Sequence, residues 1–239
     1  NELVSQSYSH SGKDTTAPTL TGTAYTDATV YESCLADAES TVPAWSEANA
    51  ITGYTDNCGA AVTATLTGTA TSGDDCNWTV TYTYTVLDAC TNELVSQSYS
   101  HSGKDTTAPV LVGGANGSSE STGTNPVDNA AYQAWLDNYA GITSTDLCRT
   151  PVMSYVEGTW SSTSCGDQIT VTFIGTDGCG LTSSKNHTFV ISDSTPPSLS
   201  GGADGSSECT GANPSDNTDY ITWRDSYAGI TATDISGST

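Results

Sequence analysis

Eight cysteines, three histidines and a set of aspartates that return in phase are the residues whose types and spacing could do chemistry. Cys34, Cys58, Cys76 and Cys90 fall in one stretch, Cys148, Cys165 and Cys179 in the next, and Cys209 in a third. In an oxidising compartment such a set forms disulfides that supplement a thin core. Four cysteines permit three connectivities. The pattern of loss in later copies narrows them to Cys34–Cys58, Cys76–Cys90 and Cys165–Cys179, the last two closing short loops worth about 2–4 kcal/mol each. Ser121 takes the place of Cys34, and Ser236 that of Cys148. Cys148 and Cys209 are then left unpaired, or bridged to each other. Zinc is not expected, because no CxxC occurs and His10, His101 and His187 lack ligand spacing to any cysteine.

No catalytic signature stands in the sequence. There is no GxSxG, no HExxH and no glycine loop followed by lysine. His10 and His101 occupy one repeated position, which suits a surface strand better than a general base. Asp74, Asp75 and Asp88 read as turn residues. No enzyme is expected. Calcium, the one cofactor in view, is a candidate at Asp105 and Asp193, with Asp146 or Asp234 as neighbours. No DxDxDG loop supports it, and acidity alone serves solubility. N-x-S/T triplets at Asn77, Asn116 and Asn186 are about as frequent as chance allows in a chain this rich in serine and threonine.

The elements that position these residues follow from internal repetition. Residues 1–18 recur unchanged at 92–109, and the stretch from Gly113 is echoed from Gly201. Asp14, Asp105 and Asp193 open DTTAP-like elements about ninety residues apart, the size of an immunoglobulin-like domain. The chain therefore divides into 1–13, the last strand of a preceding repeat; 14–104 and 105–192, two full repeats; and 193–239, the start of a third. It is expected to be a window on a longer polypeptide, with any signal or anchor outside it. Alternation predicts strands at Ala61–Thr67, Trp78–Val86, Ile169–Ile174 and His187–Ile191. Asn125-Pro126 and Gly141 bracket a predicted helix with Tyr132, Trp135, Leu136 and Tyr139 on one face and Leu136 at its edge. Asn213, Pro214, Tyr220, Trp223 and Tyr227 repeat it, and Val42–Asn49 is a shorter version. The aromatic stripe fits core packing better than a sugar platform.

A net charge of −22 repels phosphate and anionic lipid, so neither nucleic acid nor membrane is an expected partner. No apolar run is long enough to span a bilayer.

DTTAP at each copy's start, the TDNC at Thr55–Cys58, and DACTN or TDGCG before the last strand resemble hyalin-type (HYR-like) immunoglobulin repeats. The GSSECTGANPSDNTDYITW element resembles repeats of large Bacteroidota surface proteins, including gliding-motility adhesins. The resemblance implies export, by the type IX route, and O-glycans at Asp-Ser/Thr motifs, here Thr15, Thr106 and Ser194. The expected fold is all-β: tandem Ig-like β-sandwiches in a linear array, each with a short inserted helix. The expected function is an extracellular stalk or fibre segment of a surface adhesin. Its partners would be neighbouring repeats, glycans or other cell surfaces. A pilus-like fibril using 1–13 as a donor strand, and a carbohydrate-binding array, are the alternatives.

Overall fold

A computed structural model describes residues 6–122, 125–163, 166–208 and 213–234. It is strand-rich with several sheets, and it divides into two compact units. The first holds residues 1–109 together with 145–151 and 177–181; the second holds 110–144, 152–176 and 182–239. The main chain thus passes from one unit to the other after Pro109, and two later loops return to the first. Val86 and Phe173 lie in separate hydrophobic clusters, one in each unit.

In the first unit, β1 (Thr19–Leu20) pairs with β3 (Tyr54–Thr55). A four-stranded sheet runs in the order β2 (Val30–Glu32), β6 (Glu93–Lys104), β5 (Asn77–Leu87), β4 (Thr63–Asp74), with β2 and β6 parallel. On β5 the alternation has a direct cause. Trp78, Val80, Tyr82, Tyr84 and Val86 point into the core while the intervening threonines face outward. The edge strand β4 stays largely exposed and carries an irregularity between Leu66 and Gly68. Two single-turn helices, α1 (Ala38–Thr41) and α2 (Glu47–Ala50), bury Ala38 and Ala50. Trp45, between them, stacks on Tyr99.

The second unit repeats the plan. Here β7 (Val110–Gly113) pairs with β9 (Ile142–Thr145). A sheet orders β8 (Gly117–Glu120), β13 (Thr182–Ser192), β12 (Gly166–Thr176) and β10 (Val152–Glu157), with β8 and β13 parallel and β11 (Ser161–Thr163) also on β12. Ile169, Val171, Phe173, Phe189 and Ile191 form its interior with Tyr132 and Leu136 of α3 (Ala130–Asp137). The helix begins later than expected. Asn125 caps only a short 3-10 turn, whereas Asn129 accepts from Ala131 and Tyr132 N–H and starts α3 itself. Leu136 is fully buried rather than at the edge of the stripe. In the next copy, β14 (Ser198–Gly201) pairs with β15 (Ile230–Thr233), and Asn217 caps α4 (Thr218–Asp225).

Candidate functional site

Among the described residues two disulfides are present, Cys34–Cys148 and Cys76–Cys179, each with Cα atoms 5.2 Å apart. All four cysteines lie in the first compact unit, because 145–151 and 177–181 fold into it. Each bridge nevertheless joins a residue of the 14–104 copy to one of the 105–192 copy.

The expected pairings are overturned. Cys34 bonds Cys148 rather than Cys58, and Cys76 bonds Cys179, which removes both Cys76–Cys90 and Cys165–Cys179. Cys58 and Cys90 are exposed free thiols. Strand length is the physical reason. Cys76 sits in the turn before β5 and Cys90 in the turn after it. Eleven extended residues separate those turns by about 35 Å, far beyond disulfide reach. Cys179 is taken by Cys76, and Cys165 lies outside the described residues. Cys34 follows β2 of the large sheet, whereas Cys58 follows β3 of the small ladder. Cys148 is paired, and Cys209 lies outside the described residues. One signal for the true pairing was in the sequence. Shifted one copy onward, the Cys34–Cys148 bridge would join Ser121 to Ser236, so both ends are lost together.

Around the Cys76–Cys179 bridge lies a cleft of about 80 Å³, lined by Asp74, Asp75, Asp105 and Arg149. That is too small for a metabolite, since ligand pockets run to roughly 300 Å³ or more. Arg149 Nε donates to Asp75 at 3.0 Å, largely in solvent, where such a pair contributes little. Asp75 lies near the Cys34 and Cys148 sulfurs, but joined sulfurs offer a metal no thiolate.

Asp105, Asp146 and Asp177 converge, with one carboxylate oxygen of each within 4.8 Å of the others. Asp105 and Asp177 are buried. Burial pushes the Asp105 carboxyl above its ordinary value; the Asp146, Asp177 and Glu32 charges add to this, and the Thr107 N–H opposes it. Asp193 joins no such cluster among the described residues. Asp234, its expected neighbour, lies at the end of the small β14–β15 ladder. The same aspartate plan recurs in the first copy as Asp14, Asp56 and Asp88, and Asp14 and Asp56 converge there with Cys58. The Asp14 carboxylate pushes the Cys58 thiol up, burial and Asp56 adding to it, which keeps it protonated.

His101 is not on a surface. It is fully buried among Tyr25, Tyr31, Tyr82 and Tyr99, with Nδ1 bonded to Asp27. A dyad so enclosed has no face for a substrate. His10, the same repeat position, is exposed.

The modification candidates are all exposed: Thr15, Thr106 and Ser194 on the DTTAP-like elements, and Asn77, Asn116 and Asn186 on or beside strands. Ser194 Oγ donates to Glu120 at 2.7 Å, and Asn116 Oδ1 accepts from Thr188 N–H at 3.0 Å. Trp135 packs edge-on against Phe173, whereas Trp223 of the later copy is exposed. Among the described residues no helix is long and apolar enough to cross a membrane. The chain matches no protein-family model and no curated protein.

Proposed function

We propose that this chain is a stalk or fibre segment of a long extracellular repeat protein, built from tandem Ig-like β-sandwiches of the HYR-like kind, as in bacterial surface adhesins. The observation that carries the reading is the path of the disulfides, from one sequence copy to the next rather than within a copy. A protein whose task is continuity gains from covalent links between successive modules. The shared strand order of the two large sheets supports the same reading. Its partners are further copies. Cys58 and Cys90 hold the positions that Cys148 and Cys179 hold one copy later, so they await the cysteines of another repeat. Exposure of Thr15, Thr106 and Ser194 fits glycan attachment outside the cell. The reading assigns no catalytic role.

A non-reducing peptide map of the native protein tests it. Peptides bearing Cys58 and Cys90 should be disulfide-linked to peptides from other repeats. Finding both thiols free in material exported to an oxidising compartment would end the proposal.

A second reading has one observation in its favour. Residues 6–13 are exposed and unpaired as a strand, yet identical to 97–104 of β6. Such a segment could complete the sheet of a neighbouring subunit in a fibril. Intact mass of the native subunit separates the readings: a 24.6 kDa chain supports the fibril, a far larger one the stalk.

A further inference from the structure

We propose that Asp105, Asp146 and Asp177 form a calcium site. The three residues arrive from separate elements: the DTTAP-like element after β6, the loop after β9, and the turn between β12 and β13. Asp105 is 5 % exposed and Asp177 8 %. An acidic cluster in water needs no partner, but carboxylates this deeply buried do.

The decisive detail is which oxygens are satisfied. Asp177 Oδ1 accepts from Cys179 N–H and Leu181 N–H, both at 2.8 Å. Its Oδ2 is buried with no hydrogen-bond donor, and so is Asp146 Oδ1. The preceding copy supplies an internal control. Asp88 Oδ1 accepts the corresponding N–H bonds from Cys90 and Asn92. There, however, Asn92 also donates its side-chain N–H to Asp88 Oδ2 at 2.7 Å. Leu181 stands where Asn92 would be and carries no donor. The fold therefore provides the second oxygen with a partner in one copy and withholds it in the other.

An all-oxygen set selects a hard cation. Calcium takes oxygens at about 2.3–2.6 Å, so ligands on opposite sides stand about 4.6–5.2 Å apart, and three oxygens within 4.8 Å of one another can share one ion. Magnesium demands a tighter octahedron and gives up its waters reluctantly, which a site with two buried carboxylates disfavours. Three carboxylates against one calcium leave a single residual negative charge.

Calcium titration of the intact, oxidised chain by calorimetry at about 0.15 M salt, where diffuse attraction is screened, tests the site. A saturable site and a melting temperature that falls with EDTA are expected. Asp177→Asn should weaken binding about tenfold or more. Leu181→Asn, which restores the missing donor without touching a carboxylate, should weaken it as well and guards against a folding defect in the first variant. Overturning results are an absence of saturable binding, binding indifferent to both substitutions, or magnesium raising the melting temperature as much as calcium does.

Discussion

Residues 6–13 and 97–104 have the same sequence and opposite fates. In 97–104, part of β6, the chain lies between β5 and β2, with Tyr99, His101 and Gly103 turned inward. In 6–13 there is no strand; His10 is exposed and Tyr8 is 86 % exposed. Gly103 shows how specific the hosted position is: a Cβ there would stand 2.1 Å from the Trp78 ring, whereas one on Gly12 would meet nothing within 4 Å. The two copies converge again at the DTTAP-like element, where Thr16 and Thr107 N–H each donate to the aspartate two residues before and Pro18 and Pro109 are both buried. Strand preference resides in the partners offered to a segment more than in the segment itself.

Paired substitutions can break this contrast, and the largest effect falls at the histidine. His101→Ala removes a buried partner of Asp27 and should cost about 3 kcal/mol in urea unfolding, against less than about 0.5 kcal/mol for His10→Ala. Gly103→Ala comes next, because the Trp78 ring and the Tyr31 carbonyl oxygen both crowd the new methyl. A loss of about 2 kcal/mol is expected, while Gly12→Ala should leave the melting temperature unchanged. Tyr99→Phe leaves the Ser46 N–H without the phenol oxygen that accepts it at 2.9 Å, for about 1–2 kcal/mol; Tyr8→Phe should be silent. Equal losses in both members of any pair would mean that 6–13 is structured in solution.

Acid sharpens the comparison further, with the smallest effect. The Thr29 N–H, together with the His101 and Tyr31 hydrogen bonds, holds the Asp27 carboxyl well below the usual range, against burial. A depressed folded value stabilises the protein above the unfolded value of about 3.9, and that contribution is lost as pH falls further. Asp27→Asn should flatten the acid limb below about pH 4. Deleting residues 1–13 should leave it intact, since residues 6–13 join no strand among the described residues.

The sequence displayed the strands because one face of each was apolar: Trp78 to Val86 could be read directly. It misplaced His101 because Ser98, Ser100 and Ser102 alternate with Tyr99, His101 and Gly103, and only the tyrosine looks like core. The Asp27 carboxylate that accepts from the buried imidazole and makes it tolerable comes from a distant loop. The pattern of cysteine loss, applied within one copy, points to the wrong partners, although the predicted strand between Cys76 and Cys90 already sets those thiols apart. Of the candidate calcium site, Asp105 and its neighbour Asp146 were legible as calcium candidates, whereas Asp177 was not. Their convergence depends on loops 145–151 and 177–181 folding into the first unit, which no local pattern records.

The Cys34–Cys148 bridge spans 114 residues. Under tension applied at the two ends, that whole stretch is bypassed, because force crosses the sulfur–sulfur bond instead of the backbone. At about 3.4 Å per residue, roughly 390 Å of extension is withheld even after every hydrogen bond inside the bypass has ruptured. A pulled molecule would therefore yield in short steps until a reductant opens both bridges, since Cys76–Cys179 alone still bypasses 103 residues, and only then release its hidden length.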